Sequence, residues 1–335
     1  MVIKMFVSLI PVFLFLVMLL YLDSYKLVCK PLLVLCFGWG LVSAAGSFYL
    51  NTMLMKYVHV SFESYSGFIA PVLEETLKCT LLWILIKKGK AGFMIDGAIY
   101  GFAIGAAFSF AENLFYLSQY ADSQSNLMIW ITRGFGTAVM HSGTTAIFGI
   151  LCMSALNRKA SLGWGIATGL LAAFLIHGIF NQFLVSPVVS TVTILLLVPL
   201  SITLIFSANE RSIRNWLELE FDSETEILRM IRRGRFASTK TGSFLVSLKD
   251  HFPWEVVVDM YCFISLYLEL SMKAKTMMML KENDIEILVD PELSLKIREL
   301  EALKKSIGRG GYLAIAPVLR MNHKDLWKIS MLKKI

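Results

Sequence analysis

Charge is scarce in this chain: 17% of its 335 residues are Asp, Glu, Lys or Arg, against 56% hydrophobic residues and a mean hydropathy of +0.64. That balance excludes a soluble enzyme and places the chain among polytopic membrane proteins. Cysteine is scarce too. Cys29, Cys36, Cys79, Cys152 and Cys262 form no C-x-x-C pair and four of them lie in or beside apolar runs, so they read as packing residues with no disulfide framework. H-E-x-x-H is absent, which excludes a metal site with two ligands on one helix of that kind; ligands would have to come from separate helices. Gly308, Gly310 and Gly311 around Arg309 lack the lysine-serine ending of a phosphate loop and read as a turn. The net charge of +7 comes from basic residues placed between apolar runs and in the tail. There they set topology, and no nucleic-acid partner is expected.

What the chain has in abundance is apolar runs of span length, at 5–22, 32–50, 67–86, 93–117, 127–153, 162–184 and 188–206. The first follows Lys4 and carries no small-x-small cleavage site around Tyr21, Leu22 and Asp23, so a retained helix is expected instead of a signal peptide. Lys26 and Lys30, then Lys87, Lys88 and Lys90, then Arg158 and Lys159, then Arg211 and Arg214 mark every second connection. The alternate side holds Lys56 and Lys4. The positive-inside rule then puts the N-terminus outside and the tail in the cytoplasm.

The expected fold is therefore all-α: a transmembrane bundle of about seven spans over 1–207, followed at 208–335 by a small, mainly helical cytoplasmic domain. In that domain Asp290 and Pro291 read as the N-cap and first residue of a helix through Leu293, Ile297, Leu300 and Leu303 to a stop near Gly308. The stretch 254–280 is apolar but interrupted by Glu255, Asp259, Glu269, Lys273 and Lys275, which favours a buried or amphipathic helix over another span.

Ionisable residues inside spans are costly and usually functional. Glu74 and Glu75 sit side by side in the third span, with Lys78 one turn on. Placed by helix rise and by the orientation above, Glu74 and Glu75, Glu112 and Asn113, Arg133 and His141, and His177 and Asn181 all fall in the outer half of the bilayer, on four successive helices. Glu74 with Lys78, and His177 with Asn181, are i,i+4 pairs that share a face. Gly97, Gly101 and Gly105 make a small-residue ladder that reads as a packing device. Asp96, His59 and Glu63 are expected to be solvated.

At these positions the chain resembles the PrsW family of intramembrane proteases, in the wider group with the CAAX prenyl endopeptidases and bacteriocin-processing membrane proteases. Its motifs read Glu74-Glu75-Thr76-Leu77-Lys78, Phe108 with Glu112-Asn113, Arg133 eight residues before His141, and His177 with Asn181, in order over about 67–185. The resemblance implies hydrolysis of a peptide bond in a membrane-anchored protein of a bacterial plasma membrane, in the manner of regulated proteolysis of an anti-sigma-factor-like substrate. Glu74, Glu75, Glu112, His141, His177 and Asn181 are then the catalytic candidates, supported by Lys78, Asn113 and Arg133. Glu75 and His141 are expected to activate water, and His177 and Asn181 to donate to the oxyanion. The metal-bound alternative draws on His141, His177 and Glu112 as zinc ligands.

Two other readings use the same residues. A proton-coupled or ion transporter needs the polar path to continue through the inner half, where only Asp96 stands among these candidates. A catalytically silent membrane scaffold needs only the cluster and the tail as binding surfaces.

Overall fold

A computed structural model describes residues 2–21, 28–120, 127–158, 160–182, 184, 186–282, 285, 290–319 and 332. Leu22, Asp23, Lys26 and Lys159, used above for topology, lie outside the described residues, as do the side chains of Arg211 and Arg214. Every element among the described residues is helical. We label the helices α1 (Val2–Tyr21), α2 (Lys30–Leu54), α3 (Ala70–Lys87), α4 (Met94–Tyr120), α5 (Ala138–Asn157), α6 (Leu162–Asn181), α7 (Pro187–Arg232), α8 (Lys240–Ser247), α9 (Trp254–Glu282) and α10 (Leu293–Ile315).

The chain divides into two compact units, Met1–Asn209 and Glu210–Ile335. In the first, a helix stands at each of the seven apolar runs, and the chain is an all-α membrane protein. Among the described residues, five segments are long and apolar enough to cross a bilayer: Lys30–Leu54, Met94–Gln119, Met128–Asn157, Leu162–Asn181 and Pro187–Ile205. α3 falls outside that set because Glu74, Glu75, Lys78 and Lys87 lie within its length. α7 continues as helix to Arg232, well past the end expected for its span.

A helix that is apolar all round must be buried all round. α4 obeys this: Ala98, Ile99, Phe102, Ala103, Ile104, Ala106 and Ala107 are each at most 1% exposed. α5 is nearly as enclosed, from Ala138 through Thr145. The outer helices leave an apolar face uncovered, with Val34 and Val42 on α2, Leu171 and Leu175 on α6, and Leu196 and Leu200 on α7. In water such faces would be a liability; against lipid they are the required surface.

The glycine ladder joins the two central helices. A Cβ on Gly97 would come within 2.8 Å of the Gly149 carbonyl oxygen, on Gly101 within 2.4 Å of that of Thr145, and on Gly105 within 2.2 Å of that of His141. α4 and α5 therefore touch backbone to backbone. Gly40 does the same for α2, whose missing Cβ would lie 2.2 Å from the Ile104 carbonyl oxygen.

Two expectations, that Asp96 is solvated and that every cysteine is a packing residue, are revised. Asp96 is fully buried, not solvated: its Oδ2 accepts from the backbone N–H groups of Gly92 (2.7 Å) and Phe93 (3.2 Å) at the start of α4. A carboxylate there also complements the helix dipole. Cys262 is exposed, while Cys36, Cys79 and Cys152 are buried and all five thiols are free.

In the second unit α9 and α10 pack together, Phe263 meeting Tyr312 edge-on at 6.0 Å. Their facing residues, among them Met260, Ile264, Ile297 and Leu300, are buried. α10 begins at Leu293, later than Pro291, because Asp290 first caps a tight turn through its Oδ1 and the Glu292 N–H, 2.9 Å apart. Gly308 interrupts it with φ 63° and ψ −177°, a left-handed backbone that glycine adopts without a side-chain clash. Lys275, buried, pairs with Glu224 at 2.8 Å. Asp290 is held below the usual carboxylate range by its bond from Lys273.

The ladder gives a direct test. Gly101→Val should destabilise the bundle by about 3 kcal/mol or prevent its accumulation, since the obstacle is backbone. Leu171→Val, on an exposed face, should shift the melting temperature in detergent by no more than a degree or two. Equal melting of both variants would contradict the close approach.

Candidate active site

Five helices converge on one polar cluster. α3 supplies Glu74, Glu75 and Lys78, α4 supplies Glu112 and Asn113, α5 supplies His141, and α6 supplies His177. The fifth contributor, α2, brings Asn51.

At the centre is an ion pair. Lys78 Nζ lies 2.6 Å from Glu75 Oε1, and both side chains are 0% exposed. The pairing is i,i+3 with Glu75, where the sequence suggested i,i+4 with Glu74. The same Glu75 oxygen accepts from His177 Nδ1 at 2.7 Å, and Lys78 Nζ also stands 3.1 Å from His141 Nδ1. An ammonium only donates, so His141 Nδ1 accepts and its proton sits on Nε2, directed at Glu112 Oε2 3.1 Å away. By the same logic the carboxylate fixes the His177 proton on Nδ1, leaving the Nε2 lone pair free. Glu75 Oε2 is buried with no hydrogen-bond partner among the described residues.

His177 Nε2 faces Glu74, whose Oε2 is 3.8 Å away. Glu74 is 17% exposed, in contrast to the sealed Glu75. The two imidazoles meet edge to face with centroids 4.7 Å apart. Phe108 packs against both groups, its ring 4.9 Å from that of His141 and 4.9 Å from Lys78 Nζ.

A second ion pair flanks the first. Arg133 Nη2 lies 3.1 Å from Glu112 Oε1, its Nε donates to Asn113 Oδ1 at 3.1 Å, and its guanidinium covers the Tyr116 ring at 3.7 Å. This residue is anchored, not snorkelling. Its position depends on a π-helical turn at Thr132–Thr137, where the Ala138 N–H bonds the Arg133 carbonyl five residues back. Eight residues of regular helix would turn Arg133 about 80° away from His141; the extra residue of the wide turn brings the two to within about 20° of one line. A second π turn, Tyr65–Ile69, leads into α3 in the same way.

The expected residues do not all share the cluster. Asn181 is turned away, its Nδ2 donating to the Ser66 carbonyl at 3.1 Å, so it ties α6 to the turn before α3. Among the described residues, Glu74, His141 and His177 bring their donor atoms within 4.8 Å of one another. The expected zinc set had Glu112 in the place of Glu74; Glu112 is instead engaged by Arg133 and His141. Sequence reading missed Asn51, Tyr65 and Tyr116. Only Asn51, an amide in the last turn of an apolar helix, carries a signal in the sequence that marks it out. Beside the cluster, an apolar groove of about 440 Å³ is lined by Leu54, Phe68, Val72, Leu73 and Leu77.

A family model described as PrsW family intramembrane metalloprotease matches residues 29–205, just over half of the chain. No curated protein and no solved structure matches.

The π turn makes a checkable claim. Deleting Gly134 should convert the wide turn to seven residues of regular helix between Arg133 and His141, which keeps the two within about 20° of one line and leaves proteolytic activity well above that of Arg133→Ala. Deleting Gly134 and Phe135 together should instead swing Arg133 off Glu112 and lower activity as far as Arg133→Ala does, with the protein still inserting. Unchanged activity after the double deletion would show that the register of Arg133 is irrelevant.

Proposed function

The chain belongs to the PrsW family of intramembrane proteases, and we propose that it hydrolyses a peptide bond of a membrane-anchored protein with water activated between Glu74 and His177. The observation that carries this is the division of labour between the two adjacent glutamates. Glu75 is sealed and doubly committed, to Lys78 and to His177. Glu74 is partly open and stands across from the free nitrogen of His177. The reading thus moves the base from Glu75 and His141, favoured by sequence, to Glu74 and His177.

The steps assigned to the chain are these. Glu74 takes one proton of the attacking water while His177 Nε2, held in its tautomer by Glu75, accepts a hydrogen bond from that water, and the protonated Glu74 then passes its proton to the leaving amine. Lys78 neutralises Glu75 so that it stays a hydrogen-bond acceptor within the bundle. The His141 Nε2–H, poised by the ammonium behind it, exchanges its bond to Glu112 for one to the carbonyl oxygen as its negative charge grows, a contribution typically worth about 3 kcal/mol. Arg133 keeps Glu112 oriented beside it. Asn181 has no part in this chemistry and serves as a helix tether.

The donor set also fits a divalent metal. Among the described residues, three carboxylates face two fixed cations, Lys78 and Arg133, and one buried carboxylate oxygen, Glu75 Oε2, lacks a hydrogen-bond partner. Glu74, His177 and His141, the last through whichever ring nitrogen its partners Lys78 and Glu112 release, would hold zinc, which would supply a water of lowered pKa and polarise the scissile carbonyl. Glu75 on His177 is the outer partner such a ligand usually has.

The resemblance points to an anti-sigma-factor-like substrate, and the charge bias to a site facing the outside of a bacterial plasma membrane with the residues after 207 in the cytoplasm. The transporter reading has lost its inner step, since Asp96 is bound to backbone N–H groups at a helix start.

Glu74→Gln and His177→Ala should each reduce cleavage of a co-expressed single-span substrate by about 10³-fold or more at unchanged expression. Asn181→Ala should keep activity within about threefold and lower the melting temperature instead. Full cleavage by Glu74→Gln would remove this assignment. Elemental analysis should find about one zinc per chain, lost in His177→Ala; a metal-free protein that cleaves in the presence of a chelator would leave Glu74 and His177 acting alone.

A further inference from the structure

Glu74 is held from behind by a chain of groups on two other segments. Asn51 Nδ2, on α2, donates to Glu74 Oε1 at 3.2 Å. Asn51 Oδ1 in turn lies 3.0 Å from the hydroxyl of Tyr65, which is also 3.2 Å from the Asn51 carbonyl oxygen. Tyr65 is 3% exposed and opens the π turn before α3, where its carbonyl accepts from the Ala70 N–H. We propose that Asn51 and Tyr65 are positioning residues of the proteolytic site, a relay that fixes the Glu74 carboxylate with Oε2 toward His177. The inference rests on the reading of Glu74 as the proton acceptor.

The direction of the relay follows from chemistry. An ionised carboxylate only accepts, so Asn51 must present its NH₂ to Glu74 and its oxygen to Tyr65, and the phenol must donate. Each donor–acceptor step points toward the negative charge. Without the phenol, the amide is free to rotate by half a turn and set its own oxygen against Glu74, exchanging attraction for repulsion. A glutamate side chain has three rotatable bonds; tying Oε1 is what leaves Oε2 facing His177 at 3.8 Å. The anchor itself is stiff, because α2 is seated on the backbone of α4 at Gly40.

The test uses the full-length protein in detergent and a fluorogenic single-span reporter chosen for turnover by the unmodified chain. Asn51→Leu should lower kcat at least about tenfold with KM within twofold, and Tyr65→Phe, which removes one oxygen atom, about threefold. The double variant should be no slower than Asn51→Leu alone, because the phenol acts only through the amide. Melting temperatures should stay within a few degrees. Asn51→Leu at full kcat, or losses that multiply in the double variant, or a rise in KM that tracks a fall in melting temperature, would each overturn the relay. Should Asn51→Leu fail to accumulate, Tyr65→Phe alone decides: full kcat refutes the relay, and a threefold loss at constant KM supports it. Glu74→Gln is the control for the underlying reading; if it cleaves normally, the base assignment fails whatever Asn51 does.

Discussion

The buried pair of Lys78 and Glu75 is the interaction on which the rest of this site depends. Both groups have left water entirely. Charges in that position persist when each is closely matched and further hydrogen-bonded. Here the surplus is spent on the two histidines: Glu75 orders His177, Lys78 orders His141, and each imidazole then has one nitrogen whose state is dictated and one directed outward, to Glu74 or to Glu112. Removing either member would leave an unmatched charge in the bundle and disorder two rings at once. That dual role explains why two adjacent glutamates do different work, one inside the framework and one at its opening.

Backbone contact sets where these side chains meet. The glycine face of α4 lies on the carbonyls of Thr145, Gly149 and His141, so α4 and α5 have little freedom to slide or rotate against each other. Glu112, two turns beyond Gly105, is thereby carried to His141. The π turn then corrects the rotation of the preceding residues so that Arg133 reaches the same carboxylate. Packing supplies the depth, and one inserted residue supplies the angle.

The seven helices and the membrane class were legible because hydrophobic run length is a strong signal, and the polar cluster because intramembrane charge is rare enough to stand out. The pairings within the cluster were less so. Glu74 and Glu75 differ by about 100° around α3, and nothing in their neighbours' identity says which points inward. Spacing of i,i+4 favoured Glu74 with Lys78, whereas tertiary packing turned Lys78 toward Glu75. Asn181 looked like a partner of His177 by periodicity, and the nearby carbonyl of Ser66, from a distant segment, captured it. Asp96 looked solvated because it stands at the end of its span; its role at a helix start depends on how tightly the preceding turn folds back. Asn51 and Tyr65 belong to segments whose approach to α3 no local pattern encodes.

The ladder on α4 has one more consequence, for how this sequence is able to change over time. Where two side chains collide, a second substitution on the facing helix can make room, and the pair drifts together. Opposite Gly101 and Gly105 stand peptide oxygens, which every amino acid carries alike. No replacement of Thr145 or His141 would relieve an added methyl group there, so these glycines have no partner with which to co-vary.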